Sequence, residues 1–424
     1  MKCDYACGSN QHNVNRRMFL GTVAGTGLSV LANPLSAKQL ASQQKRVLMV
    51  FLAGGVSQLE TWDPKPGTNT GGPFRAIPTS VPGTHISELL PHTAKWMHKL
   101  ALVRGINTKE DDHGKGSYIM HTGRRQEPAT DYPHFGSVCS KLLTSDDNPL
   151  PGYLTVTPSG SGNQNTKDAT FLGPRHGSVN ISDGKAPANL DKPNGISMDQ
   201  EMQRHALRQA ANEKFLSRRR TAMTEAYTQT YDQAKLLMEK KNLFDITAEP
   251  GPLADKYGRH DFGRHCLLAR RLLEGGATFV KVTHTNYDTH HENFDFHIEQ
   301  LGEFDRPFSS LIEDLDMRGM LDSTLVVVMS EFGRTPNINR NYGRDHWSKA
   351  WSVALAGCGI QKGAVVGKTN ANGTAVVDRE VNGGHLFHTY LKALGLDPKK
   401  NFYIDQRPIP MADPKADIIQ EILL

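Results

Sequence analysis

Asp288, His290 and His291 follow directly on the apolar run Ala277-Thr278-Phe279-Val280-Lys281-Val282, and Glu331 and Arg334 follow directly on Thr324-Leu325-Val326-Val327-Val328-Met329. Carboxylates and imidazoles placed at strand ends sit on a rigid edge, which a metal site or an acid–base pair requires. Asp288, His290 and the later His346 offer oxygen and nitrogen together, an ordinary ligand set for zinc, manganese or iron, with Glu331 as a further ligand or base. A hydrogen-bonded turn is the competing reading of the same residues. Arg334 and Arg344 each stand beside such a residue, and the guanidinium fork matches the oxygens of phosphate, sulfate or carboxylate. Either arginine also has a plain structural use, pairing with Glu331 or Asp345. His113, with Gly114 and Gly116 after it, adds another imidazole on what reads as a flexible loop.

These residues need a scaffold, and the runs before them supply it. A strand apolar at every position fits a sheet covered on both faces, hence a parallel sheet with helices on each side and ligands at the carboxyl ends of its strands. Val47 to Leu52 is a third such run and opens into Gly54-Gly55, Ser57, Gln58, Glu60 and Asp63. Between the last two strands Phe294, Ile298, Leu301, Phe304, Phe308, Leu311, Ile312 and Leu315 recur at helical spacing, so strand, helix and strand form a parallel crossover. Leu100 to Arg104, Tyr153 to Thr157 and Trp351 to Ala356 read as further strands. Ser87 to Leu100, Pro133 to Leu143, Tyr257 to Leu273 and His385 to Leu394 read as helices. Residues 197–243 turn to Gln, Glu, Lys, Arg, Ala and Met and read as a helical insertion of one or two long helices. The expected fold is α/β, doubly wound, with a mostly parallel sheet spanning 45–424.

A formal charge of +5 spread over 424 residues is too small for the electrostatic footprint of a nucleic-acid binder, which leaves small or carbohydrate-like substrates. Cys139, Cys266 and Cys358 remain beyond residue 37, an odd number that rules out a disulfide scaffold. Residues 1–37 read as a twin-arginine export signal: Arg16-Arg17 precedes a short, glycine-rich apolar run, and Ala37 ends a polar stretch suited to cleavage. An uncleaved anchor is the alternative. No other run is apolar and long enough to span a bilayer.

Gly54-Gly55-Val56-Ser57, Thr61-Trp62-Asp63-Pro64-Lys65-Pro66-Gly67, Gly72-Pro73-Phe74, Val81-Pro82-Gly83, Asp288-Thr289-His290, Asn293-Phe294, Ser330 to Pro336 and Gly343 to Trp347 together resemble the exported bacterial family of domain of unknown function 1501. That family is placed in the alkaline phosphatase and sulfatase superfamily. The resemblance implies hydrolysis of phosphate or sulfate esters with bound divalent metal. In the sulfatase branch a nucleophile stands ten residues before the glycine of a Thr-Gly-Arg motif; Thr122-Gly123-Arg124 puts His113 in that slot and adds Arg124 to the groups expected on the substrate. Phe332 replaces a metal-binding histidine, and Ala53-Gly54-Gly55 replaces an acidic pair. One metal site is therefore expected where the superfamily has two. Gln58 and Glu60, usually histidine and aspartate in the family, fall on a loop expected to line the site.

The sequence thus leads to an exported hydrolase holding one divalent ion (zinc, manganese, iron or calcium) at Asp288, His290, His346 and Glu331. His113 and Glu331 take the catalytic roles, and Arg124, Arg334 and Arg344 receive an anionic small molecule or glycan. A noncatalytic envelope protein that binds an anionic glycan or a protein partner is the alternative. For export, replacing Arg16 and Arg17 by lysine is expected to retain the chain in the cytoplasm; cell fractionation checks this, and an unchanged exported fraction would refute it.

Overall fold

The computed structural model describes residues 44–424 except 129, 161–166, 189, 192–194 and 219–221. The twin-arginine segment and the cleavage point after Ala37 lie outside the described residues. From Lys45 to Leu424 the chain forms one compact unit.

Its centre is an eight-stranded sheet: β1 (Arg46–Leu52), β2 (Leu100–Ile106), β3 (Tyr153–Thr157), β4 (Val179–Ser182), β5 (Phe279–His284), β6 (Thr324–Met329), β7 (Trp351–Gly357) and β8 (Val365–Val366). The spatial order is β8-β2-β7-β6-β1-β5-β3-β4. Every strand runs parallel to β1 except β7, which is antiparallel to both β6 and β2. β1, β5, β6 and β7 are buried at every position, as continuous apolar runs require when both faces are covered. Alternate side chains divide into two cores. Leu48, Val50 and Leu52 point to one, and Val47, Met49 and Phe51 to the other.

The helices are α1 (Pro91–Lys95), α2 (His113–Thr122), α3 (Phe135–Leu143), α4 (Met198–Arg218), α5 (Ala222–Glu239), α6 (Gly251–Tyr257), α7 (Asp261–Glu274), α8 (Asn293–Met317) and α9 (Gly383–Ala393). α7 and α8 cover the first core, and α2, α3 and α9 cover the second. α4 and α5 occupy the stretch read as a helical insertion. No helix of the described residues is long and apolar enough to cross a membrane.

The β5–α8–β6 crossover is present, but it passes over β1, which pairs with both strands. Leu301, Phe304, Phe308, Leu311, Ile312 and Leu315 are fully buried on α8, whereas Ile298 of the same stripe is 52% exposed, where the helix start projects past the core. Of the helix expected over Tyr257 to Leu273, Tyr257 instead ends α6, and α7 begins only at Asp261. Gly258 adopts φ +86° and ends α6, and the His260 ring accepts from Gly263 N to cap α7. The helix expected over Ser87 to Leu100 shrinks to α1 and a 3-10 turn, because His85–Ser87 pairs with Ala76–Pro78 instead. His113 lies on no flexible loop: it is the first residue of α2, capped by the Asp112 carboxylate accepting from Lys115 N at 2.9 Å.

β6, β1 and β5 are neighbours, so the loops leaving their carboxyl ends share one edge of the sheet. The start of α2 meets that edge from the second face.

Candidate metal centre

The loop after β1 has to let two others pass against it. Gly54 and Gly55 take φ of +115° and +88°; a Cβ on Gly54 would stand 2.5 Å from Asp288 N, and one on Gly55 2.6 Å from the Phe332 ring. Only glycine fits both the conformation and the space. Ser330 closes the joint, accepting from Gly55 N (3.1 Å) and Val56 N (3.2 Å) while its hydroxyl reaches Leu52 O at 2.5 Å. Glu331, buried, accepts from Gly54 N (2.9 Å) and lies 2.8 Å from His113 Nδ1 through the same Oε1.

Three imidazoles then converge on one carboxylate. His113 Nε2 is 3.3 Å from Asp288 Oδ2, and His290 Nε2 and His346 Nε2 are 3.1 and 3.2 Å from Asp288 Oδ1. The opposite ring nitrogen of each is held by an acceptor: Glu331 for His113, Asp345 Oδ1 for His290 (2.7 Å) and the Asp111 carbonyl for His346 (2.7 Å). A carbonyl or ionised carboxylate only accepts, so each Nδ1 carries hydrogen. Each neutral ring therefore aims a lone pair at Asp288. Such an arrangement demands a cation among the four groups, a proton or a metal ion, and an acceptor behind each histidine is the usual support of a metal ligand. His113, Asp288 and His346 place their ligand atoms within 4.8 Å of one another. Donors on a single cation with bonds of ~2.1 Å stand ~3.4 Å apart in tetrahedral geometry. His290 adjoins this trio, its Nε2 3.0 Å from His346 Nε2. Oxygen and nitrogen donors of this kind fit zinc, manganese or iron.

Phe332 forms the floor, buried, with ring centroids 4.9 Å from His113 and 4.4 Å from His346. Burial raises the Asp288 carboxyl, but Arg334, His346 and His113 more than offset it and hold it at about 2. The Glu331 hydrogen bond raises His113 above its ordinary value against the opposing effect of burial.

The arginines depart from expectation, for none turns its fork to the solvent. Arg334 gives Nε to Gly55 O (2.8 Å), Nη1 to Arg344 O (2.9 Å) and Nη2 to Gly54 O and Asp288 Oδ1. Arg344 spends its donors on Glu60, Thr70 O, Thr335 O and Pro336 O. Arg124 lies elsewhere, bonded to Pro410 O and Ala412 O with its guanidinium 4.2 Å over the Tyr132 ring. Buried carbonyls outbid an outside anion for these donors because they would otherwise go unpaired. Gln58 and Glu60 lie under the site and do not line it. Gln58 pairs with the backbone of Arg334 through both ends of its amide, and burial, which alone would raise the Glu60 carboxyl, is overcome by Arg344.

Sequence reasoning brought Asp288, His290, His346, Glu331 and His113 together and missed Asp345, Ser330 and the Asp111 carbonyl as supports. An Asp-Asp-His run before glycines is a helix-cap signal and was the available clue to His113. His297 was also missed. Its Nδ1 donates to Asn293 O (2.8 Å) and its Nε2 accepts from Ser57 N (3.2 Å), a packing role under the β1 loop.

Two outcomes follow from these contacts. Arg344→Met strands the Glu60 carboxylate and is expected to cost about 3–5 kcal/mol, much of it recovered in Arg344→Met/Glu60→Leu, as read by urea denaturation. In metal-free protein, the raised His113 contributes stability that is complete below its unfolded value of about 6.5 and lost as pH rises through the higher folded value. Its melting temperature is therefore expected to fall as the pH rises above about 6.5, and added zinc or manganese to restore it at the upper end, where the imidazoles are free to ligate.

Solved structures resemble this chain only distantly. A sulfatase, PsFucS1 from Pseudoalteromonas sp., shares 12% identity over 92% of this chain and 73% of its own, with a TM-score of 0.42. An alkaline phosphatase superfamily protein from Vibrio parahaemolyticus shares 12% over 84% and 68%, with a TM-score of 0.36. The lipoteichoic acid synthase LtaP from Listeria monocytogenes shares 9% over 88% and 76%, with a TM-score of 0.37. No curated protein matches the chain. The family model described as protein of unknown function (DUF1501) matches residues 44–423, nearly all of the described chain, and the protein belongs to that family.

Proposed function

We propose that the protein is an exported, metal-dependent hydrolase of phosphate or sulfate esters, acting on an anionic small molecule or glycan. The observation that carries this reading is the convergence of three imidazole nitrogens on the Asp288 carboxylate, each ring fixed from behind. His113, Asp288 and His346 would hold one divalent ion, with His290 beside them. Bound there, the ion supplies Lewis acidity toward an ester oxygen and lowers the pKa of water.

The remaining chemistry belongs to the chain. His290 is the imidazole left to move a proton: Asp345 holds its Nδ1, and its Nε2 lies at the edge of the trio. Glu331 keeps Nδ1 of His113 protonated so that Nε2 faces the ion. Arg334 keeps Asp288 ionised and aimed, and Phe332 keeps water from beneath the rings. His113 thus moves from the acid–base role expected of it to that of a ligand, and His290 moves the opposite way.

One observation favours a second reading. With Arg124, Arg334 and Arg344 all turned inward, the site offers an anion few cationic donors, which suits a noncatalytic envelope protein binding a glycan or partner through a metal.

Metal analysis and ester turnover separate these readings when made on wild type, Asp288→Ala, His346→Ala, His113→Ala and His290→Ala. About one divalent ion per chain is expected in wild type and none in Asp288→Ala, whose activity is lost with it. His290→Ala keeps the metal and loses roughly 10²- to 10⁴-fold in rate, whereas His113→Ala loses both. Metal without turnover of any phosphate or sulfate ester favours the binding role. Turnover unaffected by Asp288→Ala refutes the site.

A further inference from the structure

On the second face of the sheet, β5 carries Lys281 and, two residues on, Thr283, so both point the same way. Lys281 is buried to all but 6%. Among the described residues, its Nζ makes no hydrogen bond or ion pair; the Phe51 ring lies beside it, with the centroid 5.8 Å away, and Asp168 is the neighbouring charge. That contact replaces little of the hydration lost on burial. The Thr283 hydroxyl, also buried, has no partner either.

The helices over this face add more unmet groups. The His121 ring packs 5.0 Å from that of Phe51 and 5.0 Å from that of His134. Its Nδ1 lies 2.8 Å from the Ser117 carbonyl and so carries the hydrogen, leaving Nε2 as a buried acceptor without a partner. Along the sheet, Asn180 pairs with Thr155, which pairs with Lys281, so the three share the face. The hydroxyls of Thr155 and Thr157 both donate to Asn180 Oδ1, which turns the amide nitrogen of Asn180 outward as a donor. Asp168, the neighbouring carboxylate, is engaged by Ser178 N at 3.1 Å and makes no ion pair with Lys281.

Burial pulls the Lys281 amine down to about 8 while Asp168 pulls it up, so at neutral pH it remains an ammonium. Burial also holds His121 and His134 neutral, His134 at about 3. The cluster therefore presents the Lys281 ammonium with the Asp168 carboxylate nearby, the Thr283 hydroxyl and the Asn180 amide as donors, and the unpaired His121 Nε2 as an acceptor.

We propose that this cluster binds a small oxyanion that carries one O–H, of the monohydrogen phosphate type, separately from the candidate metal centre. Lys281, Thr283 and the amide of Asn180 donate to its oxygens, and its O–H donates to His121 Nε2. A fully deprotonated tetrahedral ion such as sulfate leaves His121 unpaired and is disfavoured. His134 and Asn180, the partly exposed members, mark the side open to solvent.

Calorimetric titration of the full chain with inorganic phosphate and with sulfate, after treatment with chelator, tests this. Phosphate is expected to bind wild type and Asp288→Ala alike, ~10-fold or more weaker in Lys281→Met, and several-fold weaker in Thr283→Val. Sulfate is expected to bind wild type at least ~10-fold more weakly than phosphate. Circular dichroism verifies each fold, and Thr283→Val, which keeps the charge, carries the test if Lys281→Met does not fold. Absence of phosphate binding means that water alone satisfies these groups and overturns the proposal. Binding lost in Asp288→Ala but kept in Lys281→Met places the anion at the metal centre and also overturns it, and equal affinity for sulfate overturns the role of His121.

Discussion

A single buried guanidinium ties together the strand ends that make up the candidate metal centre. Arg334 follows β6, yet its donors reach the loop after β1 at Gly54 and Gly55, the loop after β5 at Asp288, and the returning segment at Arg344. Its donors satisfy the carbonyls of Gly54, Gly55 and Arg344, and its buried charge would be unpaired without Asp288. Removing Asp288 leaves a fully buried guanidinium without its counter-charge, whereas the half-exposed Asp288 keeps water without Arg334, so the knot is worth more as a set of constraints than as attraction. The glycines of the β1 loop are its steric counterpart. They let three backbones approach closely enough for one side chain to span them.

Above this knot the chemistry is set by hydrogen-bond acceptors of three different kinds, a buried glutamate, an exposed aspartate and a backbone carbonyl. They have one effect in common, which is to choose the tautomer. Histidine has two equivalent-looking nitrogens, and a ligand site works only when the same one faces inward on every ring. Pinning all three from behind removes that ambiguity before any ion arrives. Phe332 adds a low-dielectric floor that strengthens each of these polar contacts.

Much of this was legible in the chain, and what was not has physical causes. Val47 to Leu52 and Thr324 to Met329 announce buried strands because no polar position interrupts them, and Asp288 and Glu331 announce a site because they end such strands. The direction of an arginine is not written in its neighbours. Arg344 stands next to Asp345 in sequence but pairs with Glu60, 284 residues away, and only the packed loops decide which carboxylate is nearer. The break at Gly258 was hidden for a related reason: a lone glycine in an apolar-periodic stretch is tolerated in a helix until a second contact, here the His260 cap, favours the turn. Ile298 kept the helical spacing of its neighbours and still lies outside the core, since periodicity defines a face but not how far the sheet beneath it extends.

The reversed strand β7 has a bearing on how the rim of the site is built. Because β7 runs against β6, the chain leaves one strand and begins the next at the same edge of the sheet, and the whole stretch from Ser330 to Ala350 stays at that edge, folded back on itself by the short pairing of Gly333–Arg334 with His346–Trp347. No crossover helix has to be threaded between the two strands. The tip of this segment, around Asn337 to Tyr342, is stitched to the loop after β5, where Asn339 donates to His290 O, Glu292 N to Asn341 O and Asn293 N to Tyr342 O, so the rim of the candidate site is held by loop-to-loop bonds that leave the register of the sheet untouched.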